Sequence, residues 1–139
     1  MSTAAQNQIT VMVDGEPLGV FASRSGGETT AEVPKYKPGG MQPEEAYPVE
    51  PTTGDVTVSR ANKRERPTGS DHDLARRLRS RTGKAPMSIS EQPLDPNGIP
   101  WGKPTVWTGI LSGVNGGDAD ANSNEVRPLE LTGTMTAVM

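Results

Sequence analysis

The sequence has 139 residues, and its low apolar content is the first constraint on what it can form. Only 32% of the residues are hydrophobic and 4% aromatic, against 16 glycines and 13 prolines, whereas a globular domain is ordinarily about 45–50% apolar. The absence of cysteine and the presence of one histidine exclude disulfide frameworks, thiol nucleophiles and Cys/His zinc sites. We therefore expect one thin-cored domain over residues 1–139 that gains burial by assembling with other chains.

The formal net charge of −3 conceals a basic segment within an acidic chain. Residues 60–84 contain nine Lys or Arg against three Asp or Glu, whereas acidic residues outnumber basic ones on both sides of this segment. No apolar run reaches the roughly 18 residues that suggest a membrane span, and no basic segment followed by an apolar one opens the chain. We expect a cytosolic origin without membrane insertion.

The first half of the chain predicts strands followed by a long loop. Alternation over residues 8–23, with Asp14-Gly15 as a turn signal, predicts a β-hairpin. Gly26-Gly27 then breaks the chain before a third, half-polar strand at 28–33. Five prolines between residues 34 and 54 exclude a helix or a central strand, so this Pro/Gly-rich segment is predicted to be a long loop. Ordered loops of this length usually bind something.

The second half predicts one helix among further strands. A fourth strand at 55–61 leads into a basic patch that begins at Arg60 and continues through Lys63, Arg64 and Arg66. Residues 71–82 are predicted to be an amphipathic helix, with Ser70-Asp71 as the N-terminal cap and Gly83 as the stop. Three more strands follow, one ending at Pro93 and two long ones at 104–114 and 124–138.

These elements indicate a mainly β fold with one helix. Seven or so antiparallel strands and a single flanking α-helix are typical of a β-sandwich or a small β-barrel. The apolar positions of the helix, Leu74, Ala75 and Leu78, form a stripe wide enough to dock on a sheet but too narrow for a helical bundle. Of the two tryptophans, we expect one in the core and one at an interface.

The order of these motifs resembles the tail tube proteins (major tail proteins) of long-tailed bacteriophages. The resemblance is carried by the opening hairpin with Asp14-Gly15, Phe21-x-x-x-Ser25-Gly26-Gly27-Glu28, Pro38-Gly39-Gly40-Met41, the single helix, Thr108-Gly109-Ile110-Leu111 and the closing segment from Glu125 to Leu131. It covers nearly the whole chain. None of these motifs is a catalytic signature, and the order and the composition carry more weight than any one of them.

The resemblance implies a structural virion protein of the phage tail. Such a protein would self-assemble into stacked hexameric rings whose inner sheets form a continuous barrel around a channel. Its partners would be its own copies, the tape measure protein, tail-end proteins and the double-stranded DNA that passes through without sequence-specific binding. The protein would be found in the host cytoplasm during assembly and then in the virion tail. Tube proteins of contractile tails and injection systems share this architecture, so that alternative stays open.

Two sets of residues are candidates for these contacts. A channel that lets DNA slide should lack arginines, because each would bind a phosphate, so acidic and hydroxyl side chains on strand faces are candidates for the lumen. The candidate lumen residues are Glu28, Thr30, Glu32, Thr57, Ser59, Glu130, Thr132, Thr134 and Thr136. The candidate inter-subunit residues are Pro38, Gly39, Gly40, Met41, Tyr47, Arg76, Arg77, Arg79 and Arg81.

The sequence contains only partial motifs for nucleic-acid binding, metal binding or catalysis. A nucleic-acid-binding module using residues 60–84 is the alternative from a different class, since clustered Lys and Arg neutralise phosphates. Residues 118–124 have the alternating oxygens of a calcium loop, but Ser123 and Leu129 stand where Gly and Glu are required. His72 has no nucleophile partner. We therefore predict no enzyme activity, no cofactor and no metal.

Overall fold

A computed structural model describes residues 6–62, 69–116 and 127–139, which form strands, one helix and their connections. The elements in chain order are β1 (Gln6–Val13), β2 (Glu16–Phe21), β3 (Ser23–Gly26), β4 (Thr29–Thr30), β5 (Lys35–Tyr36), β6 (Glu45–Ala46), β7 (Thr52–Thr53), β8 (Val56–Ala61), α1 (Asp71–Arg79), β9 (Pro86–Leu94), β10 (Thr105–Asn115) and β11 (Pro128–Val138). The predicted mainly β class with one helix is confirmed.

Seven of the strands form one antiparallel sheet that closes on itself. Its order is β2-β1-β9-β10-β11-β8-β3, and the two end strands are consecutive in the chain, separated by Ala22 alone. The Ala22 amide donates to the carbonyl of Ser59 in β8 at 2.9 Å. One bent strand therefore pairs with β1 through β2 and with β8 through β3, which makes the sheet a barrel with six positions around it.

Along each strand, every second side chain points into the barrel. In β8, for example, Val56, Val58 and Arg60 are buried while Thr57 and Ser59 are partly exposed, as the two-residue period of a strand requires. The buried hydrophobic residues form a single cluster: Ile9, Val11, Val13, Leu18, Phe21, Val56, Val58, Leu74, Ala75, Leu78, Ala85, Met87, Ile89, Trp107, Leu111, Leu129, Leu131 and Met135. The thin core expected from composition is thus concentrated in the barrel interior and under α1.

The helix α1 packs its narrow apolar stripe into this cluster, as its sequence predicted. Leu74 and Leu78 are buried, and the Ser70 hydroxyl caps the first turn by accepting from the amide of Asp73 at 3.2 Å. The helix ends at Arg79, three residues earlier than predicted, because the amides of Arg81 and Lys84 bond to carbonyls three residues back and form turns.

Arg60 lies in the core instead of in the predicted basic patch. Its guanidinium donates to both carboxylate oxygens of Asp71, at 3.1 and 2.8 Å, and both side chains are almost fully buried. It also donates to the carbonyls of Leu18 and Val20 in β2 and stacks over the ring of Phe21, 4.4 Å from its centroid. Arg60 therefore joins β8, β2 and α1 where the barrel closes.

The two ends of the barrel carry different structures. At the end where β8 finishes, Arg60 contacts α1, and the turn after α1 bonds to β10 through the Gly83 amide and the Leu111 carbonyl. At the end where β8 starts, the chain leaves the barrel between β3 and β8. We call these the helix end and the arm end. About 17 Å of strand separates them along the six residues of β8.

Residues 27–55 form a two-stranded arm, where the sequence predicted a strand at 28–33 and then a loop. β4 pairs with β7 and β5 pairs with β6, so the arm is a single interrupted hairpin that continues β3 and β8. Pro34 and Pro43 flank the short ladder segments, since proline donates no ladder bond. Apart from Pro38, every residue from 28 to 52 is exposed, so the arm does not lie against its own barrel.

The base of the arm is held by a cluster around Trp107. The indole of Trp107 donates to the carbonyl of Gly27 at 3.0 Å, and the Arg24 guanidinium lies over its ring at 4.5 Å. Arg24 also pairs with Glu91 of β9 at 3.1 Å. Gly27 has a φ of +79°, and an added Cβ would lie 2.7 Å from the Trp107 indole nitrogen. These contacts fix the direction in which the arm leaves the barrel.

Two sequence-based interpretations fall outside the described residues. The calcium-like loop at 118–124 is one of them, and the patch residues Lys63, Arg64 and Arg66 are the other. The strand β3, at Ser23–Gly26, was not predicted, because its side chains do not alternate between apolar and polar.

Removing one partner of the buried ion pair should destabilise the unassembled chain strongly. Arg60→Ala leaves Asp71 charged, buried and without its guanidinium, so we expect a loss of about 3–5 kcal/mol in the free energy of unfolding. Urea denaturation would measure it. The exposed pair of Arg77 and Glu16 supplies the control, because Arg77→Ala should cost less than about 1 kcal/mol. Equal losses in the two variants would contradict the closing role of Arg60.

Adding a methyl group at Gly27 should destabilise the fold for two reasons, a clash with neighbouring side chains and a backbone φ that favours glycine. Gly27→Ala is expected to lower the free energy of unfolding by about 2–4 kcal/mol, since Trp107 and Val56 leave no room for it. Gly40→Ala is the matched control, because Gly40 has nearly the same φ of +78° but nothing within 4 Å. That control should lose only about 1 kcal/mol. If both variants unfold at the same urea concentration, the arm base is not packed as described.

Candidate assembly surfaces

The outer face of the barrel carries a band of hydroxyl groups along β8 and β11. Thr57 and Thr132 face each other at 3.3 Å between hydroxyl oxygens, and Ser59 bonds to Ser23 in the same way. Six of the nine candidate lumen residues share this face: Thr57, Ser59, Glu130, Thr132, Thr134 and Thr136. Their common position follows from the register, since Thr57 pairs with Thr132 and Ser59 with Glu130.

The remaining three lumen candidates lie elsewhere. Glu28, Thr30 and Glu32 are exposed residues of the arm, where the ladder is only two strands wide. The strand predicted at 28–33 would have placed them on the same sheet as the others. The structure thus divides the set between the hydroxyl band on the barrel and the arm.

Some candidate inter-subunit residues belong to the segment that the sequence predicted to be a loop, and these lie at and near the tip of the arm. Pro38, Gly39, Gly40 and Met41 belong to the connection between β5 and β6, and the Met41 side chain is fully exposed. The arm also exposes further large apolar side chains, which have little of the chain to pack against: Val33, Tyr36, Tyr47 and Val49. An exposed apolar segment of this kind is typical of a binding surface.

The four candidate arginines, of which three lie in α1 and Arg81 lies in the turn after it, divide into two pairs. Arg77 binds Glu16 at 2.8 Å and Arg81 binds Asp14 at 2.7 Å, so these two brace α1 against the β1–β2 turn of the same chain. Arg76 and Arg79 are exposed. The sequence could not reveal the bracing, because more than 60 positions separate each arginine from its carboxylate.

Sequence reasoning also missed the cluster of Arg24, Glu91 and Trp107. Each residue is unremarkable in its own segment, and only the barrel brings the three strands together. The one available signal was Gly26-Gly27. It indicated a break in the chain, but it did not indicate that the Trp107 indole leaves no room for a side chain at Gly27. Of the two tryptophans, Trp107 is in the core as expected, whereas Trp101 is about half exposed near the arm end.

Within the described ranges the surfaces show no chemical centre. No group of three or more His, Asp or Glu side chains is placed to hold a metal ion there. His72 is an exposed residue in the first turn of α1. In that same part of the chain, no helix has the length and apolarity to cross a membrane.

Several solved structures with a similar fold are parts of contractile injection machines. A chain in the cryo-EM structure of the anti-feeding prophage baseplate, symmetrised sixfold, has a TM-score of 0.72 at 18% identity, over 100% of this chain and 94% of that one. A chain in the PVC sheath–tube complex of an extracellular contractile injection system has a TM-score of 0.65 at 17% identity, over 95% and 86%. A chain in the anti-feeding prophage cap that terminates the tube has a TM-score of 0.64 at 15% identity, over 94% of this chain and 85% of that one.

No protein-family model matches the sequence, and no curated protein matches it either. At these identities the likeness concerns the fold. It supports the resemblance to tail tube proteins at a coarse level and does not single out the long-tailed bacteriophages. The chain therefore has a phage-tail-like fold, shared with components of contractile injection systems, over its entire length.

Proposed function

We propose that this protein is a structural subunit of the tube in a contractile, phage-tail-like system, where its copies form hexameric rings that stack. The observation that carries the proposal is the two-way coverage of the baseplate chain, 100% of this chain and 94% of that one, so the shared fold accounts for nearly all of both chains. The similar structures are of a sixfold-symmetrised baseplate, a sheath–tube complex and a tube-terminating cap. The tube of a long-tailed bacteriophage, a conduit for DNA ejection, is the closely related alternative.

The exposed arm supports a role in assembly. A two-stranded hairpin is marginally stable in water by itself, and this one exposes large apolar side chains, among them Tyr36 and Met41. Burial against a neighbouring copy would supply the contacts that its own barrel does not. The partners in this proposal are other copies of the chain and further tail proteins that begin or end the tube.

The hydroxyl band on β8 and β11 suits the wall of a channel. Its side chains bond to one another and to strand carbonyls, such as the Thr136 hydroxyl to the carbonyl of Thr108 at 3.2 Å. Such a surface offers a passing macromolecule no row of cations to bind. We assign the band, with the strand from Glu130 to Thr136 at its centre, to the lumen.

The proposal includes no catalytic activity and no cofactor. The alternative of a nucleic-acid-binding module is weakened by three of its arginines. Arg60 is buried, and Arg77 and Arg81 are paired with carboxylates of the same chain. To bind phosphates, Arg60 would have to leave the core, and Arg77 and Arg81 would have to give up their carboxylate partners.

Shortening the arm should separate folding from assembly. Residues 37–44 are replaced by Asn-Gly, a two-residue turn that closes the pair Tyr36 and Glu45 in their present register. We expect the wild-type chain to form rings or hollow polymers in negative-stain micrographs and the shortened chain to stay dispersed. Its urea midpoint should be close to wild type, since the tip contributes nothing to the core.

The control is Lys103→Glu, an exposed change near the arm end that leaves the arm intact and should preserve polymers. Dispersed wild-type monomers that bind duplex DNA in a salt-sensitive way would reject the tube proposal in favour of the nucleic-acid module. Normal polymers from the shortened chain would reject the role of the arm.

A further inference from the structure

The outer part of the arm makes its hydrogen bonds within itself. In the described part of the chain, no hydrogen bond or ion pair joins residues 28–53 to a barrel strand, because the bonds of this segment run between its own two strands. The ladder therefore keeps the two strands together without deciding where the pair of strands points. The direction of the arm depends on the short stretch where both strands leave the barrel.

That stretch has glycine on both strands. Gly26 and Gly27 are consecutive residues with φ of +81° and +79°, and a side chain at Gly26 would overlap the carbonyl of Asp55. On the other strand, the amide of Gly54 donates to the carbonyl of Glu28 at 2.9 Å. Because glycine resists backbone rotation less than any other residue, the base of the arm would act as a hinge unless other contacts held it.

Two donors from inside the barrel hold two consecutive carbonyls of this hinge. The Arg24 guanidinium donates to the carbonyl of Gly26 at 2.6 Å, and the Trp107 indole donates to that of Gly27. The guanidinium lies over the indole, so each donor limits the movement of the other. Glu91 of β9 accepts from two nitrogens of Arg24, at 3.1 and 3.4 Å. We call Arg24, Glu91 and Trp107 the arm clamp.

The ion pair of the arm clamp is more accessible to water than the pair that closes the barrel. The Arg24 and Glu91 side chains are 23% and 18% exposed, against 4% and 0% for Arg60 and Asp71. Loss of Arg60 leaves a carboxylate enclosed in the core, whereas loss of Arg24 leaves Glu91 within reach of water. Arg24 should therefore contribute less to folding than Arg60 does, although it contacts both the hinge and the barrel wall.

We propose that Arg24 is a positioning residue for assembly, because it sets the direction of the arm. Without its guanidinium the arm keeps its own ladder but swings about the glycine hinge, while the barrel stays folded. Docking on a neighbouring copy would then have to order the arm in the same step, and this loss of freedom weakens association. The inference rests on the proposed function in one respect, namely that the arm takes part in assembly.

The direction of the arm can be measured in single chains. The sequence lacks cysteine, so dyes attached through Gln8→Cys in β1 and Gln42→Cys near the arm tip report the arm direction by single-molecule energy transfer. We expect one narrow distribution of transfer efficiency in the otherwise unchanged chain. Arg24→Met combined with Glu91→Gln should broaden or shift the distribution, while the urea midpoint stays close to wild type because no charge is left without its partner.

The effect on assembly is measured on chains without dyes. The critical concentration for polymer formation, followed by light scattering, should rise at least about tenfold in the double variant. Arg24→Lys keeps the charge but cannot contact Glu91, Gly26 and Trp107 at once, so it should lie between wild type and the double variant in both measurements. Ile89→Val is the control, because it removes a buried methyl group from β9 and should lower only the urea midpoint.

The outcomes separate this inference from the proposed function. An unchanged transfer distribution in both Arg24 variants would overturn the inference, as would a loss of stability in the double variant as large as that of Arg60→Ala. Tubes that form equally well from both Arg24 variants would leave the proposed function standing and reject the role of Arg24 in assembly. A wild-type chain that forms no polymer at any concentration would reject the proposed function and that role together, even with an arm direction that depends on Arg24.

Discussion

The buried pair of Arg60 and Asp71 is the interaction on which the rest of this structure depends. A guanidinium is placed in a small apolar core, where an unpaired charge would be costly, and it has hydrogen-bond partners from two elements, β2 and α1. By donating to the carbonyls of β2 from its position on β8, Arg60 bridges the two strands where the sheet closes. By binding Asp71, it ties α1 to the same point.

Closure of the barrel determines where the candidate assembly surfaces lie. One bent strand serves as both β2 and β3, so the chain that leaves β3 begins the arm at one end of the barrel. The helix is held at the other end by Arg60 and by the ion pairs of Arg77 and Arg81. A chain built in this way has two unlike ends, a shape that suits the proposed stacking of copies better than a closed twofold dimer.

The composition of the chain agrees with a protein that is completed by its neighbours. Its core fills the barrel and the underside of α1, while the arm exposes tyrosines, methionine and valines that a monomer would ordinarily bury. The cluster of Arg24, Glu91 and Trp107 holds the base of that arm in one direction. A rigid base lowers the entropy that the arm would lose on docking, so more of the contact energy is available for association.

The local elements could be predicted from the sequence because their causes are local. Alternation predicted β1, β2 and β8, and the Asp14-Gly15 turn predicted the hairpin. The Ser70 cap and the spacing of Leu74 and Leu78 predicted α1. The mainly β class and a thin core followed from these elements and from the composition. The arm was expected to be a strand at 28–33 followed by a loop, since its ladder forms only two residues at a time between prolines and gives no alternating pattern in the sequence. The identity of Arg60 as a core residue was decided by the tertiary structure alone. In sequence it begins a basic run, and only the folded barrel brings Asp71, Phe21 and the β2 carbonyls around it. The division of the four candidate arginines into paired and exposed ones was decided in the same way, as was the placement of arm and helix at opposite ends. Each depends on contacts between residues far apart in the chain.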